Sequence, residues 1–400
     1  MDSKPKILLY GAYDRYNYGD NLMPILFHDF MENYSKDIFT GFDVEFVSIS
    51  DSDLSEYDSE KTKSIIKFLD SDLVSYVVVV GGETMAAHLN GLFLNTFKNE
   101  LNFKIALYTQ KIMRRYFIYI SNNLYPSPWE FPYIPNKKDF KGNVKIILNT
   151  VGGVPSESNM EVVKEIDYIS VRDERSFKAV SHLPQARLVP DSVLLLSYLY
   201  SLETLASRVN MDKLNNFDFN QKYIVVQVSP HVADCSPKDL AKVLLEIKKS
   251  QGVEPILLPI GYASLHDDYI YLKKVQEYSG NELQLFYKLT VWEIAFFIAK
   301  SHGYYGTSLH GAITAMSYAV PHYCISKKVE KFTEFTKTWS LLNYHKAINP
   351  LEILHYVNQN YDREKMDQKI EYAQNKILEN YNLIHKLFRE TLYNIELDNR

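Results

Sequence analysis

Two cysteines, Cys235 and Cys324, are all that this chain of 400 residues contains. They lie far apart and in no metal-type spacing, which excludes a disulfide framework or a zinc module and suits a reducing cytoplasm. Long apolar runs are missing too. Val74 to Val80 and Val193 to Leu199 fall well short of the ~18 residues that a spanning helix needs, and Met1 to Lys6 leads into a strand without the apolar core of a signal peptide. The expected location is the cytoplasm, at most the inner face of a membrane. Positive charge is not in excess, since 44 Lys and Arg against 49 Asp and Glu leave a net −5. No nucleic-acid partner is expected. Glycine is sparse, at 15 residues, and never forms the dinucleotide fingerprint. Gly11 and Gly19 stand eight apart with no third glycine following. Internal repeats and low-complexity tracts are absent.

What the chain has is an alternation of buried-strand and helix patterns. Lys6 to Gly11, Phe42 to Ile49, Val74 to Val80, Lys145 to Gly153 and Ile166 to Val171 read as strands, and Leu22 to Tyr34 as a helix. A second series begins at Lys222 to Ser229 and continues through Glu254 to Ile260 and Leu283 to Phe286, with a helix at Thr290 to Ala299. The polar, Asn-rich stretch before it marks a boundary near residue 200. The expected architecture is α/β, with two Rossmann-like doubly wound domains facing a cleft at residues 1–200 and 201–345, followed by C-terminal helices at 346–400. Tyrosine is abundant, at 31. Sugar sites use such rings, although an AT-rich coding composition also explains them.

Residues 92–141 mix Lys104, Lys111, Arg114 and Arg115 with Tyr108, Ile112, Met113, Tyr116, Phe117 and Tyr119. This reads as a helix packed on the sheet with its charges outward, while the same make-up suits an anionic membrane surface. The four prolines between Tyr125 and Pro135 rule out a regular helix or central strand and suggest a long loop or lid.

The stretch from Gly303 to Ile325 reads as strand end, tight turn, short helix and second strand. Thr307 or Ser308 can cap the helix, and Ala312, Ala315 and Ala319 form a small-residue stripe that allows close packing. His310 then falls in the first helical turn, beside unpaired N–H groups and the positive end of the dipole. That place suits an anion and favours a neutral imidazole able to act as a base. The alternative is an ordinary polar residue at a helix start.

Ser308-Leu309-His310-Gly311-Ala312, followed by Ala319-Val320-Pro321, resembles the C-terminal signature of the polysaccharide pyruvyl transferase family. That family usually carries Arg-Leu-His here, and the guanidinium that Ser308 lacks would hold phosphate or carboxylate. Asn17-Tyr18-Gly19-Asp20 is similar to the family's N-terminal Asn-x-Gly-Asp. Ser170 to Ser176, the Pro190-Asp191 pair and, in part, the turn Gly81-Gly82 also match in order.

The resemblance, over about residues 7 to 325, implies a glycosyltransferase-B-like fold whose last helix packs back on the first domain. It implies transfer of pyruvate from phosphoenolpyruvate onto two hydroxyls of a sugar, in a glycan or lipid-linked acceptor, with no metal and no cofactor beyond that co-substrate. In this reading His310 and Asp20 are the catalytic candidates. Asn17, Gly81, Gly82, Arg172, Asp191, His231, His266 and Ser308 bind substrate, with Asp267 beside them. For Arg172 the alternative is an ion pair with its own neighbours or Asp191. The rival functions are a nucleotide-sugar glycosyltransferase on the same scaffold and a non-catalytic glycan-binding protein.

Overall fold

The computed structural model describes residues 4–94, 97, 100–214, 217–262 and 267–398. Seven strands form the first sheet: β1 (Lys6–Tyr10), β2 (Asp43–Ser48), β3 (Lys63–Ser64), β4 (Val74–Val80), β5 (Lys145–Val151), β6 (Tyr168–Val171) and β7 (Ala186–Leu188). Five form the second: β8 (Tyr223–Gln227), β9 (Glu254–Leu257), β10 (Gln284–Leu285), β11 (Tyr304–Gly306) and β12 (His322–Cys324). Their orders are β3-β2-β1-β4-β5-β6-β7 and β10-β9-β8-β11-β12. Every pairing within them is parallel. Both sheets therefore reverse order beside their first strand, the place where α/β folds open a crevice at strand carboxyl ends. The β-branched run Val77 to Val80 is buried because helices cover both faces of the first sheet.

The helices that matter for the site are α1 (Tyr18–Tyr34), α2 (Glu100–Ile112), α3 (Arg114–Leu124), α4 (Asp268–Tyr278), α5 (Val291–Lys300), α6 (Leu309–Ser317), α7 (Glu330–Trp339) and α8 (Arg363–Asp398). Helix α1 starts earlier than its apolar spacing predicts, at Tyr18, because Asn17 is its N-cap and Tyr18 and Gly19 turn inward, both buried. Helix α5 opens on a capping box in which Thr290 and Glu293 satisfy each other's backbone N–H groups.

Helix α8 runs back along the first sheet. Its inward residues Met366, Ile370, Ala373, Ile377, Tyr381, Ile384 and Phe388 recur every three or four positions and are buried. Phe388 packs edge-on against Tyr76 with ring centroids 4.7 Å apart, and Tyr381 packs likewise on Phe30 at 4.8 Å. The Asn380 amide bridges Tyr168 at 2.7 Å and Asn149 at 2.8 Å. Among the described residues no helix is long and apolar enough to cross a membrane.

The proline-rich segment departs from the expected lid. Tyr125, Trp129, Phe131, Tyr133 and Ile134 are all buried. The Tyr10 hydroxyl donates to the Pro132 carbonyl at 2.8 Å, and the Trp129 indole donates to Asp139 at 2.7 Å. Prolines kept the segment from regular structure, but its aromatics made it part of the core of the first sheet.

Candidate active site

The two sheets are joined where the start of α1 meets the turn after β9 and helix α6. The backbone of Asn17 bridges that of Gly261, Tyr18 N–H donates to the Ile260 carbonyl at 3.0 Å, and the Tyr18 hydroxyl meets Thr314 of α6 at 2.7 Å. These contacts lay the N-termini of α1 and α6 side by side. The ring of His310 rests on Gly19, where an added Cβ would stand 1.9 Å from Nδ1, so only glycine admits the imidazole there.

His310 faces two groups from the first sheet. Arg172, which follows β6, places Nη1 at 3.2 Å from His310 Nε2 and donates from the same nitrogen to Asp191 at 2.9 Å. Asp191 itself stands 3.6 Å from His310 Nε2. A neutral ring protonated on Nδ1 accepts from Arg172, and a ring protonated on both nitrogens turns its second N–H toward Asp191.

Asp191 is wholly buried and also accepts from Val193 N–H at 3.0 Å. Burial alone would raise its pKa, but His310, Arg172 and that N–H outweigh it and bring the carboxyl down to about 2. Arg172 is 1% exposed. Burial works against its charge, yet Asp191, Glu83 and Asp173 overcome this and hold the guanidinium above its ordinary range. It donates to Glu83 at 3.0 Å, and Arg175 pairs with the same carboxylate. Gly152 makes room for this pair, because a Cβ there would lie 2.7 Å from Glu83 and 2.8 Å from Arg172 Nε. The ion pair of Arg172 with Asp191 is therefore present, and the guanidinium also lines the cleft.

The cleft has a volume of about 220 Å³, far beyond the ~10–15 Å³ that one water requires. Asn17, Asp20, Gly82, Arg172, Ser308 and His310 line it. Ser308 caps α6 by accepting from Gly311 N–H at 3.5 Å. Gly81 does not line the cleft. It sits at φ +65° with Met23 where a side chain would be, so it serves the approach of α1 to the sheet. His231 is exposed and lines a neighbouring depression with Arg175 and Lys328. His266 lies outside the described residues. Asp267 is the N-cap of α4, accepting from Tyr269 N–H at 3.1 Å.

Three lining residues escaped the sequence reading. Asp268 accepts from the N–H groups of Ile260 and Gly261, both at 3.1 Å. Its burial outweighs these bonds and a bond from Gln227, and pushes the carboxyl up to about 7. Gln227 in turn accepts from Thr307 and Ser308 N–H at 2.9 and 2.8 Å, tying Asp268 to the turn that carries His310. Lys331, in the first turn of α7, lines the same cleft. Burial lowers its pKa against the pull of Glu83. Among the described residues its ammonium has no hydrogen bond or ion pair. Arg15, the third, donates to the Tyr133 hydroxyl at 2.7 Å. Asp268 is visible in sequence only as one of a pair, Asp267-Asp268, and Lys331 carries no local signal at all.

Two doubly wound parallel sheets with a polar cleft between their carboxyl ends, and a C-terminal helix packed back on the first sheet, define the glycosyltransferase-B-like class. Solved structures of this class align over nearly the whole chain. The UDP-GlcNAc 2-epimerase of Neisseria meningitidis bound to UDP-GlcNAc matches with TM-score 0.52 and 13% identity, over 98% of this chain and 100% of that one. S. aureus MnaA, solved with UDP, matches with TM-score 0.52 and 13% identity, over 93% and 91% of the two chains. Such identities speak for the fold alone. No curated protein matches by sequence. Residues 160–328 match the family model described as polysaccharide pyruvyl transferase. This stretch includes Arg172, Asp191, Ser308 and His310 and leaves Asn17 to Asp20 outside it.

Proposed function

We propose that this chain is a transferase that moves the pyruvate unit of phosphoenolpyruvate onto two hydroxyls of a sugar, in a polysaccharide or its precursor, closing a cyclic ketal. The observation that carries this reading is a juxtaposition within the segment matched by the family model. Arg172, Asp191 and His310, separated by up to 138 positions, meet as one bonded cluster on the cleft wall.

The chemistry has definite needs. C3 of phosphoenolpyruvate takes a proton, which leaves C2 cationic. A sugar hydroxyl adds to C2 and gives up its proton. The bond from C2 to the phosphate oxygen then breaks, phosphate departs, and a second hydroxyl adds to C2 with loss of its proton. His310 and Asp268 are the two lining groups suited to these transfers: the imidazole because its ring nitrogens can take up and release a proton, the carboxyl because burial brings it to about 7. Lys331, Arg15 and the N-termini of α1 and α6 serve the phosphate and carboxylate of the donor. Arg172 and Asp191 act through His310 as positioning residues. Asp20, in the first turn of α1, lies close to Gly82, whose Cβ would be 3.5 Å from its carboxylate, and hydrogen-bonds the acceptor from that side.

Ligand-dependent melting tests the donor. Phosphoenolpyruvate without added metal should stabilise the protein, by about 2.7 kcal/mol at a hundred times its dissociation constant. Lys331→Ala should remove most of the effect. Phosphate release in the presence of sugar diols should fall about a hundredfold or more in a folded His310→Asn variant. A shift produced by a UDP- or GDP-sugar, with none from millimolar phosphoenolpyruvate, overturns the reading in favour of a glycosyltransferase.

A further inference from the structure

Helices α2 and α3 carry apolar residues on two sides. The inner side holds the buried Ala106, Phe117 and Ser121 against the first sheet's core. The outer side holds Leu101, Ile105, Tyr108 and Ile112, spaced four, three and four apart so that they form one stripe on α2. Met113 on the link and Tyr116, Tyr119 and Leu124 on α3 add four more, and all eight are more than half exposed. Eight of the 23 large apolar side chains that stand exposed among the described residues fall within these 24 positions. Scattered apolar groups are normal on a soluble surface, but a concentration of this kind marks a surface that is covered in use.

Charge identifies what covers it. After Glu100, which opens α2, residues 101–129 contain Lys104, Lys111, Arg114 and Arg115 and no Asp or Glu, in a chain whose net charge is −5. Lys104 and Lys111 stand four before and three after Tyr108, so they border the apolar stripe. Lys111, Arg114 and Arg115 are exposed, and among the described residues none enters an ion pair. A second copy meeting this face about a twofold axis would set like charges against each other, which disfavours a dimer. An apolar stripe bordered by positive charge is the pattern that lies in the headgroup region of an anionic bilayer.

We infer that α2 and α3 form a membrane-docking surface that seats the protein on anionic phospholipid, with the eight apolar side chains entering the acyl boundary and the basic residues meeting lipid phosphates. The inference stands apart from the donor chemistry. It does bear on the acceptor, since α3 packs on the short helix Leu89–Leu94, whose Leu92 lines the cleft, so docking brings the cleft rim toward the bilayer.

Flotation of the full chain with vesicles tests this. Vesicles containing about a third phosphatidylglycerol should carry the protein upward, phosphatidylcholine vesicles should not, and about 0.5 M salt should release it. The triple variant Lys111→Glu, Arg114→Glu, Arg115→Glu should lower the partition coefficient by at least about a hundredfold, at roughly fivefold per basic group. Ile105→Ser with Tyr119→Ser should weaken it too, while leaving the melting temperature in place. Equal flotation with both vesicle types, or none with either, overturns the inference. So does a solution dimer that the Ile105→Ser, Tyr119→Ser variant converts to monomer, or retention of the unaltered protein by an acidic polypeptide with no vesicle binding.

Discussion

Asp268 accepts two backbone N–H groups at 3.1 Å, and its carboxyl still sits at about 7 because the loss of hydration outweighs them. Its pKa in the folded chain is thus higher than in the unfolded one, so the folded state holds the proton longer. The resulting stability is fully present below about pH 4 and is lost as the pH rises toward 7. Asp268→Asn cannot ionise and escapes that loss. Between pH 5 and 8 the melting temperature of this variant should gain on that of the unaltered protein, by an equivalent of about 3 kcal/mol. A gap that stays constant across that range would place the carboxyl at an ordinary value. Gly19 offers a second residue-scale test. Alanine in a helix normally adds about 0.5–1 kcal/mol relative to glycine, yet here its Cβ would stand 1.9 Å from His310 Nδ1. Gly19→Ala should keep the fold and lose turnover through kcat, with the donor-induced melting shift largely kept.

These two residues also show where reading the sequence stopped. The place of His310 at a capped helix start was legible in the chain, while its choice over an ordinary polar residue rested on the family resemblance. Asp268 was not, because nothing local separates it from Asp267, and only its burial decides which of the pair titrates near neutrality. Gly19 belonged to a recognisable motif, but its purpose lies in a side chain 291 positions away.

At the scale of elements, strands with unbroken β-branched runs were legible nearly to the residue, as β4 shows, because burial on both faces leaves no other use for such a run. The segment from Tyr125 to Pro135 misled for the converse reason. Proline reports the absence of regular backbone but says nothing of burial, and the buried Trp129, Phe131 and Tyr133 turn the expected lid into core. Limited proteolysis should therefore spare this segment and cut first within 207–213, where most side chains are exposed between the two sheets. Cleavage inside 125–135 ahead of that region would mean the aromatics are not packed. Helix α8 invites a stability test of its own. Phe388 is 1% exposed and packs on Tyr76 and Phe42. Phe388→Ala should cost about 3–5 kcal/mol in denaturant unfolding, the usual range for a buried aromatic.

Across the whole molecule the site belongs to neither sheet alone. Arg172, Asp191 and Gly19 come from the first half of the chain and His310, Asp268 and Lys331 from the second. The Asn17–Gly261 bridge and the Tyr18–Thr314 bond register one against the other. Separately produced halves, divided between 205 and 222, should show no melting response to phosphoenolpyruvate until they are mixed. A response from either half alone would mean the donor is held by one lobe.

The path of α8 has a consequence in time. Part of one face of the first sheet, beside α1, is covered by residues 366–388, whereas its last strand ends at Leu188. A ribosome adding about 5–20 residues per second spends about ten to forty seconds between the two. Throughout that interval Tyr76, Phe42 and their neighbours stand bare on the nascent chain. The first half of this protein is thus the first to be made and the last to be finished, and its yield in a cell should depend on what shields that face while translation continues.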